Sequence, residues 1–110
     1  MFTFAEFQIQ GYVGKISPVG RALKISIAAT ERWTDRETGE VREKTRWNTV
    51  TLWDNARGFD WIRANLATGD LVHCRGDVEQ ASYDKDGQTV YTVDLRVDTI
   101  SVIPTGRKDG

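Results

Sequence analysis

The sequence predicts an all-β domain, a five-stranded Greek-key barrel with one short helix between strands 3 and 4. Two observations carry this reading. Five stretches place apolar residues at alternate positions, and between the third and fourth lies one helical stripe, Phe59, Ile62 and Leu66. A third observation is the punctuation: turn chemistry separates the stretches at Ser17-Pro18-Val19-Gly20 and at Asp86-Gly87.

Residues 7–16 read as the first strand, with Phe7, Ile9, Gly11 and Val13 alternating with Gln8, Gln10 and Tyr12. Leu23, Ile25 and Ile27 alternate with Lys24, Ser26 and Ala28, which makes a second half-buried strand. Residues 34–44 are charged around a single Gly39 and cannot bury themselves, so they form a solvated hairpin tip or a mobile loop. Residues 45–53 make the third strand. The helix is expected over residues 55–66, with Asp54 as its N-cap and Gly69 as the left-handed stop beyond it. Trp61, beside the apolar stripe, is expected to pack half-buried. Residues 71–78 form the fourth strand and residues 89–102 the fifth, bulged where the alternation shifts near Val97-Asp98. Three strands, a helix and two strands is the order of an OB-fold. Residues 1–104 form this domain, and the polar residues 105–110 are expected to fray.

Composition bounds the function. The chain has 110 residues, enough for one domain with a real core and without metal or disulfide support. No apolar run approaches the roughly 20 residues that span a bilayer, and the start lacks the pattern of a signal peptide. The single Cys74 cannot form an internal disulfide, which suits a reducing, cytoplasmic setting, and it reads as a small core residue. With one His73 and one Cys74 there is no metal-ligand spacing, and nothing calls for a cofactor. His73 has no Ser or Cys nucleophile at a recognisable spacing, no Gly-rich phosphate loop is present, and Asp84 and Asp86 sit in a turn, so the chain is not read as an enzyme. The net charge of -1 is not that of a strongly electrostatic nucleic-acid binder. Residues 1–53 nevertheless hold eight Lys/Arg against six Asp/Glu, so a nucleic-acid ligand belongs on the first half, with stacking carrying much of the affinity.

The third strand decides the functional reading. Val50 and Leu52 point into the core, so Trp47, Thr49, Thr51 and Trp53 point the other way. Two tryptophans on the polar side of a strand need a partner, protein or ligand. Trp33, where the second strand enters the charged loop, and Tyr83, at the opening of the Asp-Gly hairpin, also fall outside the apolar alternation. Trp33, Trp47, Trp53 and Tyr83 together offer what base stacking on single-stranded nucleic acid requires, flat π-faces spaced along a sheet. Lys24, on the solvent side of its strand, is placed to meet phosphates, and Arg32, Arg36, Arg42, Lys44 and Arg46 could clamp a backbone. Each aromatic also has an ordinary reading, packing against a second subunit or lying exposed on a hairpin.

These residues carry a resemblance. Residues 25–33, Ile-Ser-Ile-Ala-Ala-Thr-Glu-Arg-Trp, then Thr38-Gly39-Glu40, then residues 45–50, Thr-Arg-Trp-Asn-Thr-Val, together with Gly69-Asp70-Leu71-Val72, Arg75-Gly76 and Tyr91-Thr92-Val93, resemble the bacterial single-stranded DNA-binding proteins over roughly residues 7–102. The resemblance implies an OB-fold, a homodimer or homotetramer, little base preference, a nucleoid location, and work in DNA replication, recombination or repair. It places stacking on Trp33, Trp47, Trp53 and Tyr83, and subunit contacts at Asn48, where the family often has His, and at Leu71, His73 and Arg75 on the polar side of the fourth strand. The family's long tail with an acidic, Phe-ending tip has no counterpart in residues 105–110, so tail-dependent replication and repair partners are not expected to be recruited. A primosomal-type protein or a single-stranded RNA binder remains the alternative, because stacking is indifferent to the sugar.

Overall fold

The computed structural model describes residues 1–105. The elements run β1 Glu6–Val19, β2 Ala22–Thr34, β3 Val41–Trp53, α1 Phe59–Asn65, β4 Leu71–Lys85 and β5 Gln88–Ile103. The strands close a barrel in the order β1-β2-β3-β5-β4, as expected of an OB-fold. β3 and β5 meet in parallel at Thr51 and Arg96, and the other neighbours are antiparallel. The expected tail lies, apart from Thr105, outside the described residues. Among the described residues no helix is long and apolar enough to cross a membrane.

The core is the inward half of each alternation. Val13, Leu23, Ile25, Ile27, Val50, Leu52, Val72, Cys74 and Val97 fill the barrel, and Phe59 and Ile62 of α1 join the same cluster. Cys74 is fully buried, and burial pushes its thiol up to about 11, so it is a core residue rather than a nucleophile.

Several boundaries differ from the sequence reading. β1 continues through Pro18 and Val19, which pair with Leu23 and Ala22, so the turn is Gly20-Arg21. The charged segment is a hairpin tip flanked by strand: β2 and β3 stay in register out to Thr34 opposite Val41, so residues 41–44 join β3 and the tip is confined to residues 35–40. That tip is built around Asp35, whose carboxylate accepts from the Glu37 N–H (2.9 Å), the Thr38 N–H (3.4 Å) and Arg42 Nε (3.0 Å). The Glu37 amide first, then Arg42 and Thr38, hold the Asp35 carboxyl below the ordinary carboxylate value.

The helix is shorter than expected, and Asp54 does not cap it. Gly58, at φ 80°, is the N-cap and makes no side-chain cap bond. Asp54 instead ties its N–H to the Arg21 carbonyl, and the Ala56 N–H bonds back to Trp53, so residues 54–58 are spent on a turn. The helix ends at Leu66 as extended backbone, while Gly69 takes its positive φ in the next turn. Trp61 is 57% exposed, not packed with the stripe, because the short helix buries only Phe59 and Ile62. The Asp86-Gly87 turn is confirmed, with positive φ at both residues, and the fifth strand bulges at Asp98, which is skipped between the pairs Gly76–Val97 and Arg75–Thr99.

Candidate nucleic-acid interface

The uninterrupted β2–β3 register assigns every outward side chain. Trp47 lies opposite Ala28, Thr49 opposite Ser26, Thr51 opposite Lys24 and Trp53 opposite Ala22, all on the side away from Ile25, Ile27, Val50 and Leu52, with Thr51 and Ala22 covered by their neighbours. Trp47 and Trp53 remain 61% and 45% exposed. Trp47 reaches across β2 to β1: a Cβ added to Gly14 would collide with its Cζ3 and Cη2 and crowd Ser26 Oγ. Gly14 is where β1 bulges, between Val13 and Lys15.

A channel continues from these residues. Its first stretch is lined by Lys15, Ser17, Lys24, Ser26 and Thr49. Its second, a cavity of about 300 Å³, is lined by Lys24, Thr51, Trp53, Glu79, Asp94 and Arg96. Lys24 donates from Nζ to Thr51 Oγ1 at 2.6 Å, which fixes the ammonium between the two stretches. Beyond Trp53 the surface passes Asn55, Arg57 and Arg96. Tyr83, 52% exposed, projects from β4 on the same side as Glu79 and Ala81, so it extends this surface along the β4–β5 hairpin. A separate cavity lined by Thr68, Asp70, Val102 and Pro104 contains no aromatic and no Lys or Arg.

Trp47, Trp53 and Tyr83 are therefore brought to one surface. Trp33 is not. It pairs with Arg42, and its parity along β2 is that of Ile25 and Ile27, so it projects from the opposite side of the two-stranded ribbon. Arg42, Lys44 and Arg46 share the Trp33 side, whereas Arg32 shares the Trp47 side. Arg36 sits in the tip between β2 and β3.

Three of the six expected phosphate contacts are held by carboxylates of the same hairpin. Arg32 pairs with Glu43 at 3.0 Å, Arg46 with Glu31 at 2.7 Å, and Arg42 with Asp35 at 3.0 Å and Glu40 at 3.8 Å. All are solvent-accessible pairs worth no more than about 1 kcal/mol each, so a phosphate can displace them.

The sequence reading missed Lys15, Arg57, Arg96 and Tyr12. By uninterrupted alternation Lys15 would face inward with Val13; the bulge at Gly14 turns it out beside Ser26. Arg57 and Arg96 join the channel only because the barrel closes β5 against β3. Tyr12 is 51% exposed and lies opposite Ala28 on one side and Leu71 on the other.

The residues expected at subunit contacts separate into two places. Leu71, His73 and Arg75 line the outward face of β4, opposite Tyr12, Gln10 and Gln8 of β1, and His73 Nδ1 lies 3.2 Å from Gln10 Oε1. Asn48 pairs with Ile27 on the other parity of β3, away from that face.

The fold is shared with solved structures at low sequence identity. A Plasmodium falciparum single-stranded DNA-binding protein, solved in complex with single-stranded DNA, is 19% identical, with a TM-score of 0.73, covering 94% of this chain and 98% of that one. A mitochondrial single-stranded DNA-binding protein from S. cerevisiae is 23% identical, with a TM-score of 0.68, covering 96% and 100%. A small single-stranded DNA-binding protein from Streptomyces coelicolor is 19% identical, with a TM-score of 0.64, covering 93% and 96%. Residues 10–103, nearly the whole barrel, match the single-strand binding protein family, and the chain belongs to that family.

Proposed function

We propose that this protein binds single-stranded DNA with little sequence specificity by stacking bases on Trp47, Trp53 and Tyr83 while phosphates meet Lys15, Lys24, Arg57 and Arg96. The observation that supports this most directly is that the outward side of the sheet runs from Trp47 over Thr49 and Lys24 to Trp53 and the cavity beside Glu79 and Asp94. Flat rings at intervals along a channel suit a strand whose bases all have a π-face. Trp33 with Arg42, Lys44 and Arg46 forms a second contact on the far side of the β2–β3 ribbon, reached by a strand that wraps the hairpin. Arg32 and Arg36 meet the same strand at the ribbon edge and tip. Binding of this kind covers single strands exposed in replication, recombination or repair, at the nucleoid.

The protein acts as a homo-oligomer. The outward β1–β4 face, with Tyr12, Gln10, Leu71, His73 and Arg75, supplies the contact between copies. The other edge of residues 6–10 of β1 has no strand partner among the described residues, and such an edge accepts a second copy.

Titration of intrinsic tryptophan fluorescence with a thymidine homopolymer tests the binding. Trp47→Ala should weaken it by about one to two orders of magnitude, from roughly 1–3 kcal/mol of stacking per base, with the barrel intact. Unchanged affinity in a folded Trp47→Ala protein sinks the stacking reading. A ribo-homopolymer of equal length, run in parallel, separates DNA from RNA binding.

A further inference from the structure

The cavity beside Trp53 has an unusual wall for a channel that carries a polyanion. Glu79 of β4 and Asp94 of β5 lie directly opposite each other and both line it. Like charges placed opposite across a strand pair destabilise a sheet. Neither carboxylate has a hydrogen bond or ion pair among the described residues. Neither cation lining the cavity pairs with them: Lys24 donates to Thr51 at 2.6 Å, and Arg96 Nη2 is 3.8 Å from Asp98.

A phosphate meeting Lys24 or Arg96 at this cavity would keep clear of the Glu79–Asp94 wall, whose two acceptors repel it. A base stacked on the 45%-exposed Trp53 would instead turn its hydrogen-bonding edge toward them. Ionised carboxylates only accept. Thymine presents a single ring N–H flanked on both sides by carbonyl oxygens, which a carboxylate accepting from it would have to face. Cytosine and adenine each present an exocyclic amine, and guanine presents an amine beside a ring N–H. A carboxylate accepting from the cytosine amine is an established means of reading that base.

We infer that Glu79 and Asp94 form a base-selective wall, favouring a base with an exocyclic amine over thymine at the Trp53 position. This rests on the reading of Trp53 as a stacking residue. Selection is local to one position along the channel, so it biases the composition of the bound strand without imposing a sequence.

The test compares wild type with Glu79→Ala/Asp94→Ala, both exposed positions, using deoxycytidine and deoxythymidine homopolymers of equal length at matched salt and pH 8. Both polymers carry the same phosphate charge. Loss of repulsion raises affinity for both alike, and only base readout changes their ratio. The preference for deoxycytidine over deoxythymidine should fall by about fivefold in the double variant, the low end of discrimination by a direct base contact. An unchanged ratio, with both affinities raised together, shows that the carboxylates act on the backbone alone and overturns the inference. Trp53→Ala is the control for the underlying reading. If it alters affinity for neither polymer, no base stacks there and the wall has nothing to read.

Discussion

The indole of Trp47, rooted on β3, rests its far edge over Gly14 of β1, at a place where no Cβ fits. The side chain thus crosses the whole width of β2, and the glycine that bulges β1 is also what lets the ring settle on the sheet. Gly14→Ala should push the ring off the sheet while leaving the inward core untouched. Affinity for a thymidine homopolymer should fall by up to about tenfold, within the range of one stacked base. The check is a fluorescence titration beside a thermal melt, and full affinity with an unmoved emission maximum would show that the ring tolerates the methyl.

The hairpin cations predict an inverse effect. Glu31 and Glu43 hold Arg46 and Arg32, so removing the carboxylates should release them for phosphate. Glu31→Gln/Glu43→Gln should tighten binding at low salt. It should also steepen the log–log salt slope by about 0.7 for each phosphate newly met. Titrations across a salt series read both quantities; a slope equal to that of wild type would place these arginines outside the bound strand's path.

Much of the fold is legible in the sequence because alternation and turn chemistry are local. Asp86-Gly87 specifies its turn through two positive φ angles, and Val50 and Leu52 identify the inner side of β3 by parity alone. What is not legible depends on events that a local pattern does not encode. A bulge reverses parity, which hides Lys15, and barrel closure joins distant residues, which hides Arg96 and Arg57. Trp33 shows a third limit. Its parity with Ile25 and Ile27 places it across the ribbon from Trp47, but only once β2 is known to run unbroken to Thr34. Asp54 fails as a cap because Gly58 restarts the chain four residues later, so local capping preference gives way to the turn that precedes it.

The tip of the β2–β3 hairpin should loosen in acid. The Asp35 carboxyl is held below its ordinary value, so its contribution is complete above that value and is lost as pH falls through the lower, folded-state value. The Glu37 and Thr38 amides, which donate to it, should shift together in an NMR titration at the acid end while core amides stay fixed. Asp35→Ala should abolish this transition and speed hydrogen exchange at both amides at neutral pH. A tip that exchanges no faster in Asp35→Ala would show that the backbone bonds between Asp35, Gly39 and Glu40 suffice.

Assembly should depend on Tyr12. Its ring is 51% exposed, a large apolar area for one copy to leave in water, and it sits where β1 passes from β2 to β4, opposite Leu71. Next along the same face, His73 and Gln10 lie within hydrogen-bonding distance, followed by Gln8 and Arg75, so an aromatic with a leucine beside it is bordered by polar pairs. A patch of that composition can associate with a copy of itself, because the apolar centre excludes water and the polar border sets the register. Tyr12→Asp places a carboxylate at that centre, where association would bury it without a counter-charge. Light scattering at micromolar concentration should show an oligomer for wild type and a shift toward monomer for Tyr12→Asp, with circular dichroism unchanged because the residue is outside the core. Binding to short oligonucleotides should survive in the monomer, since Trp47, Trp53 and Tyr83 come from one chain. A wild-type monomer at that concentration would remove the assembly claim, and an oligomer unmoved by Tyr12→Asp would relocate the contact to the open edge of residues 6–10.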